Sequence, residues 1–134
     1  MRVAAASIAL EHTGSLRVDL SFVHRLHDAI DLAGAMELGV CAELSSCWAE
    51  RGVDALLAHP RIAHVQLSDV VIGSLCTPDR AVPGDGDAPL ARLLDVLEAS
   101  GYAGAVELEM VGPRIEAEGY ESAVRRALAW LARR

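Results

Sequence analysis

The sequence contains no lysine, because all 12 of its Lys and Arg positions are arginine. A mechanism that forms a Schiff base on a lysine amine is therefore excluded. The three cysteines, Cys41, Cys47 and Cys76, include no C-x-x-C pair. They indicate neither a disulfide framework nor a zinc knuckle, and the expected location is the reducing cytoplasm.

Long apolar runs are also missing. No stretch reaches the ~18–20 consecutive apolar residues that a membrane-spanning helix needs, so no membrane association is expected. The start of the chain, Met1-Arg2 followed by the apolar residues 3–10, superficially resembles a signal peptide. Its apolar part is only eight residues long and ends at Glu11, which predicts a buried strand instead.

Positive charge is scarce, since 12 arginines stand against 19 Asp and Glu residues and leave a formal net charge of −7. A nucleic-acid-binding protein normally carries a basic patch or stripe, so no nucleic-acid partner is expected. The hydrophobic content of 52% argues against a disordered chain. The length of 134 residues fits one domain that spans residues 1–134.

Short apolar runs alternate with amphipathic stretches along the chain. Asp19 or Ser21 is predicted to cap the first helix and Asp87 the third, and residues 69–87 are predicted to form one long loop. This order indicates an α/β fold of parallel βαβ units, either a (β/α) barrel or an open doubly wound sheet. The predicted strands are 3–10, 40–44, 62–67 and 105–108, and the predicted helices are 23–33, 53–58, 90–97 and 120–131.

A polar side chain lies at or next to the C-terminal end of every predicted strand: Glu11, Glu43, Gln66 and Glu109. In a barrel these ends converge on the face where catalytic groups are placed. Three carboxylates that meet there repel one another unless a cation neutralises them. Carboxylate and amide oxygens suit Mg²⁺ or Mn²⁺, which predicts a metal site. The alternative interpretation is that each acid only caps a helix or forms a surface ion pair.

Several segments together carry a resemblance to a known family. The segments are Ile8-Ala9-Leu10-Glu11, Gly39-Val40-Cys41-Ala42-Glu43, His64-Val65-Gln66-Leu67-Ser68-Asp69, Arg80-Ala81-Val82-Pro83-Gly84-Asp85-Gly86-Asp87 and Gly101-Tyr102-Ala103-Gly104-Ala105-Val106-Glu107-Leu108-Glu109. In order and spacing they resemble the second half of the xylose isomerase-like TIM barrels, which include sugar phosphate isomerases and epimerases and the inosose and 3-dehydroshikimate dehydratases. The resemblance covers nearly the whole chain and implies four consecutive βα units, the C-terminal half of a (β/α)8 barrel.

The resemblance implies a divalent metal ion bound by Glu11, Glu43, Gln66 and Glu109. The implied ion is Mn²⁺ or Mg²⁺, with Co²⁺ or Zn²⁺ as alternatives. Members of the family usually have Asp where Glu43 stands, and frequently His where this chain has Ser46.

Three further residues are expected to contact the substrate. Arg80 matches a family position that is often directed at the substrate. His12 follows the first implied ligand and is expected to help position the substrate, while Arg114 is expected to hold an anionic group of it.

The activity that the resemblance implies is a sugar or sugar phosphate isomerase or epimerase acting on a hydroxy-carbonyl substrate. The metal ion would acidify the proton α to the carbonyl, and Glu11 and Glu109 are the candidates to remove and return it. With a β-hydroxyl leaving group, the same chemistry gives a dehydratase of the 3-dehydroshikimate or inosose type.

The main difficulty is size, because a complete barrel needs eight strands and typically ~250 residues. The chain supplies about four strands, so we expect either a homo-oligomer of half-barrels or an N-terminal half that this chain lacks. An isolated chain is expected to be poorly active. The remaining alternative is a non-catalytic, truncated half-barrel.

Overall fold

A parallel sheet with helices packed on one side forms the centre of the structure, a computed structural model that describes residues 8–74 and 78–134. In chain order the elements are β1 (Ala9–Glu11), α1 (Leu26–Met36), β2 (Gly39–Glu43), α2 (Leu44–Cys47), α3 (Val53–Leu57), β3 (Ile62–Leu67), β4 (Asp69–Val70), β5 (Arg80–Ala81), α4 (Leu90–Ala99), β6 (Val106–Leu108), α5 (Pro113–Glu118) and α6 (Tyr120–Leu131).

The sheet has the strand order β1-β2-β3-β6, and all of its pairings are parallel. Its register places Glu43 opposite Gln66 and Gln66 opposite Glu107. The prediction of an α/β fold with a parallel sheet is therefore confirmed. A sheet of four strands is consistent with a fragment of a TIM barrel.

Alternation along the strands gives the sheet an apolar face and a polar face. Val40 and Ala42 of β2 and Val65 and Leu67 of β3 point towards the helices and are fully buried. Apolar side chains of α1 and α4 complete this core, which excludes water from the helix side of the sheet. The residues between them, which include Glu43 and Gln66, therefore point to the opposite face.

The helix caps differ from those predicted. The N-cap of α1 is Arg25 rather than Asp19 or Ser21. The carboxylate of Glu50 accepts hydrogen bonds from the backbone N–H groups of Leu26 at 2.6 Å and His27 at 3.4 Å. A carboxylate from the segment between α2 and α3 therefore caps the N-terminus of α1 in place of a local side chain. The sequence pattern around α1 could not reveal this, because Glu50 is 24 residues away from Leu26.

The third helix is also capped differently, since the N-cap of α4 is Pro89 and not Asp87. The side chain of Asp87 accepts a hydrogen bond from the N–H of Ile72 at 2.8 Å instead. Asp87 therefore joins two parts of the predicted loop rather than starting the helix.

The predicted loop 69–87 contains regular structure, which corrects that prediction. β4 and β5 pair antiparallel, with Asp69 opposite Ala81 and Val70 opposite Arg80. The N–H of Arg80 also donates to the carbonyl of Val111, just beyond β6, at 3.0 Å. These bonds fix β5 beside the C-terminal ends of the sheet strands.

Two smaller differences from the predicted elements remain. The first strand begins at Ala9, and the rest of the predicted strand before Ile8 lies outside the described residues, as does Cys76. The short helix α5 was not among the predicted helices, and it has Pro113 in its first turn. Across the described ranges, no helix is long and apolar enough to cross a membrane.

Candidate functional site

Carboxylates from separate strands meet at one end of the sheet. Glu11 ends β1, Glu43 ends β2 and Glu109 follows β6 directly. Each offers one oxygen, and these oxygens all lie within 4.8 Å of one another. They converge because the parallel strands bring their C-terminal ends to the same edge of the sheet.

Gln66 completes the group of predicted ligands at the end of β3. Its side chain hydrogen-bonds that of Glu11, which places it at the edge of the cluster. Its Oε1 atom and the Oε2 atom of Glu109 are both buried and have no hydrogen-bond partner in residues 8–74 and 78–134. Buried polar oxygens are nearly always paired, so these two atoms suit a positively charged ligand.

The electrostatic environment of the cluster raises the pKa of two of its carboxyl groups, Glu11 and Glu109. Partial removal from water raises the pKa of Glu11, and the charge of Glu43 raises it further. Removal from water and then the charge of Glu43 also raise the pKa of Glu109. The positive charge of Arg80 acts in the opposite direction on both groups and offsets part of the rise. A cation in the cluster would keep these carboxylates ionised.

Glu43 is the buried member of the cluster and is only 2% exposed. Its Oε1 accepts a hydrogen bond from Ser45 at 2.5 Å and forms an ion pair with Arg80. Its Oε2 accepts from Ser46, also at 2.5 Å. The short helix α2 supplies both hydroxyls directly after β2, so the backbone turn itself brings them to the carboxylate.

His12 lies behind the cluster and not in the open part of the site. It is fully buried, and its Nε2 accepts a hydrogen bond from the N–H of Glu43 at 3.2 Å. Burial lowers the pKa of His12, which favours the neutral ring that can accept this bond. Its contact is with the backbone that carries Glu43, and a role in positioning the substrate stays a prediction.

The two predicted substrate arginines differ in what they contact. Arg80 is mostly buried and reaches Glu43, whereas Arg114 is half-exposed and pairs with Asp79 at 3.3 Å. A cavity of about 230 Å³ adjoins Arg80. Its polar lining comes from Ser15, Arg17, Ser45, Ser46, Ser74 and Asp79.

Sequence reasoning missed several polar residues around the cluster. Glu107 points to the same face as Glu109, two residues before it, and pairs with Nε2 of His64 at 2.8 Å. Strand alternation could have revealed Glu107. Ser45 and Ser46 could not be found in this way, because their role depends on the helical turn that follows Glu43.

The donor set fits a small divalent cation. Mg²⁺ binds oxygen at about 2.1 Å, so two oxygens on opposite sides of the ion lie about 4.2 Å apart. The carboxylate oxygens all lie within 4.8 Å of one another, a range that includes this spacing. The buried and unpartnered oxygens of Gln66 and Glu109 add to the fit.

Comparison with known protein families identifies the family to which the chain is similar. The family model described as xylose isomerase-like TIM barrel matches residues 4–134. No curated protein matches the chain.

Proposed function

The chain belongs to the xylose isomerase-like TIM barrel family, and from this membership we propose that the carboxylate cluster is the metal-binding part of a sugar isomerase or epimerase. The observation that supports the proposal is the convergence of Glu11, Glu43 and Glu109 beside the unpartnered Oε1 of Gln66. An all-oxygen donor set of this kind favours Mn²⁺ or Mg²⁺.

In this proposal the four side chains Glu11, Glu43, Gln66 and Glu109 hold the ion. When bound, the ion polarises the carbonyl of a hydroxy-carbonyl substrate and so makes the α-proton more acidic. Arg80 and the hydroxyl-lined cavity next to it orient the substrate oxygens. Arg114, which pairs with Asp79, holds an anionic group of the substrate if one is present.

Proton transfer is assigned to Glu11 and Glu109. Glu11 is the more exposed of the two and Glu109 the more buried, and they come from the first and last strands of the sheet. In this proposal one oxygen of each group holds the ion, and the second oxygens would approach the α-carbon of the substrate from opposite faces, as an epimerase requires. His12 keeps the backbone of Glu43 in place and takes no proton.

Titration calorimetry with MnCl₂ tests the metal site. Glu109→Gln removes one charged ligand and is expected to weaken Mn²⁺ binding by at least about tenfold, since even groups behind the ligands contribute that much. Glu107→Gln is the matched control, because it removes the same charge only two residues away, in β6, but lies outside the group of converging carboxylates. Its Mn²⁺ affinity should change far less than that of Glu109→Gln.

The reaction class is tested with the Mn²⁺-loaded protein and a panel of ketoses and aldoses in deuterated water. Isomerase or epimerase activity places deuterium at the carbon next to the carbonyl, whereas a dehydratase releases an unsaturated product. Glu11→Gln should abolish deuterium uptake.

In the calorimetric test, equal loss of Mn²⁺ affinity in Glu107→Gln and Glu109→Gln would count against a defined metal site.

A non-catalytic half-barrel is the second candidate function. The observation that favours it is the ion pair between Arg80 and Glu43, which already supplies a positive charge to the cluster. This alternative is expected to show no calorimetric signal with Mn²⁺ and no thermal stabilisation by divalent ions.

A further inference from the structure

Arg80 is the positive charge closest to the carboxylate cluster in the described parts of the chain. Its Nη2 forms an ion pair with Oε1 of Glu43, and its own Nε is buried without a hydrogen-bond partner. Resting on the proposed function, we propose that Arg80 is a built-in counter-cation that competes with the divalent metal ion for Glu43. Metal binding then releases the guanidinium towards the adjoining cavity.

The first argument is the charge balance of the cluster. Glu43 is 2% exposed, and a buried carboxylate needs a cation or several donors. Glu11 and Glu109 face it from the neighbouring elements and bring only negative charge, as does Glu107. Without a metal ion, Arg80 therefore supplies the compensating charge.

The second argument is the occupancy of the Glu43 oxygens. A carboxylate has about four lone-pair positions. Ser45, Ser46 and Arg80 take three of them. The hydroxyls are neutral and can remain when an ion binds, whereas a guanidinium and a metal ion at one carboxylate repel each other. The guanidinium is therefore the group that has to move.

The third argument is the space that the structure offers to Arg80. Its side chain already lines the cavity of about 230 Å³. Asp79 lines the same cavity, and its Oδ1 is buried without a partner, which gives the released guanidinium an acceptor. The donors of Arg80 then become available to substrate oxygens only after the metal ion has bound.

Arg80→Gln tests the competition because it removes the charge and keeps a polar side chain. We expect the variant to bind Mn²⁺ roughly tenfold more tightly than the wild type in titration calorimetry, a typical coupling between two sites. The metal-free variant should melt at a lower temperature than the metal-free wild type, and Mn²⁺ should raise its Tm by more. Arg80→Lys keeps the charge and should bind Mn²⁺ about as weakly as the wild type does.

Arg92→Gln is the control for general charge effects. It removes an exposed arginine that pairs with Asp54 and not with the cluster or Asp79, so its Mn²⁺ affinity should stay within about twofold of the wild type. An equal gain in Arg80→Gln and Arg92→Gln would overturn the inference. So would an unchanged or weaker affinity in Arg80→Gln.

The remaining outcomes separate this inference from the proposed function. Binding of Mn²⁺ by Arg80→Gln but not by the wild type supports the competition and contradicts a metal-loaded native enzyme. Equal binding by both proteins leaves the metal site intact and overturns only the competition, while no binding by either overturns both. If Arg80→Gln folds only with Mn²⁺, the ion replaces the missing charge as expected. If Arg80→Gln fails to fold both with and without Mn²⁺, the ion does not replace the charge of Arg80 and the inference is overturned.

Discussion

At the scale of single residues, Asp69 organises the loop next to the site. Its carboxylate is 1% exposed and accepts hydrogen bonds from the backbone N–H groups of Val70 and Gly84 at 2.9 Å and of Gly86 and Ala88 at 3.1 Å. Asp69 therefore fixes the chain that follows Arg80. These contacts describe a cap that holds the loop just after β3.

Asp69→Ala is expected to reduce the free energy of unfolding by about 3 kcal/mol, because it leaves several partly buried N–H groups without an acceptor. Urea denaturation followed by circular dichroism measures the loss. Asp54→Ala is the control, since its ion pair with Arg92 is largely exposed and contributes at most about 0.5 kcal/mol. Similar losses in the two variants would contradict the assigned role of Asp69.

The sequence predicted the meeting of carboxylates but not the contacts behind them. Glu11, Glu43 and Glu109 were recognisable because each ends an apolar run, and parallel strands bring such ends together. The ion pair of Glu43 with Arg80 was not recognisable, since it depends on how a loop 37 residues later folds back onto the sheet. Which of these residues bind metal or substrate stays a prediction.

At the scale of elements, α6 packs against the loop that follows β5. Gly84 has a φ of +92°, and a Cβ at this position would lie 2.5 Å from the indole of Trp130. Both the backbone conformation and the close approach therefore require glycine. A small apolar cluster that includes Val82, Ile115 and Ala127 holds α5 and α6 beside this contact.

Gly84→Ala is expected to lower the free energy of unfolding by roughly 3 kcal/mol, of which about 1 kcal/mol is backbone strain and the rest overpacking. Gly119→Ala separates the two causes, because Gly119 has a φ of +96° with no atom within 4 Å of the added Cβ. It should show only the strain. Differential scanning calorimetry of both variants gives the comparison, and equal losses would show that the contact with Trp130 contributes nothing.

Element prediction succeeded where the hydrophobic pattern was local. The strand at 62–67 has the predicted bounds, and α4 presents Leu90, Leu93, Leu94 and Leu97 to the core as the helical spacing indicated. The prediction of elements failed where residues far apart in the sequence determine the local structure. Glu50 caps α1 from the segment after α2, and β4 and β5 form only because each supplies the partner of the other.

At the scale of the whole molecule, the polar face of the sheet is open to solvent in the described structure. Glu11 and Glu107 are exposed on this face, and His64 is about one-third exposed. β1 and β6 are the outer strands of the sheet, and outer strands favour pairing with another chain. The parallel α/β arrangement could be predicted from the β-α repeat, whereas closure into a barrel could not, because it depends on which partners the outer strands β1 and β6 find.

Self-association through the polar face is expected to increase with salt. Two copies that face each other would bring Glu11, Glu107 and Glu109 against the same acids of the second copy, and screening weakens this repulsion. Sedimentation velocity should show the mass rising from the 14.2 kDa monomer towards a dimer between about 50 mM and about 500 mM NaCl. Dissociation by salt would instead indicate an interface held by opposite charges.

The contact between Gly84 and Trp130 also gives the protein an internal optical reporter. Trp130 touches the loop that Asp69 fixes, and only three residues separate Arg80 from Gly84. The emission of this indole therefore depends on the position of the chain that carries the arginine. The other tryptophan, Trp48, packs against the main core. With Trp48 replaced by phenylalanine, the fluorescence of Trp130 would follow movements of Arg80 in real time and without an added dye.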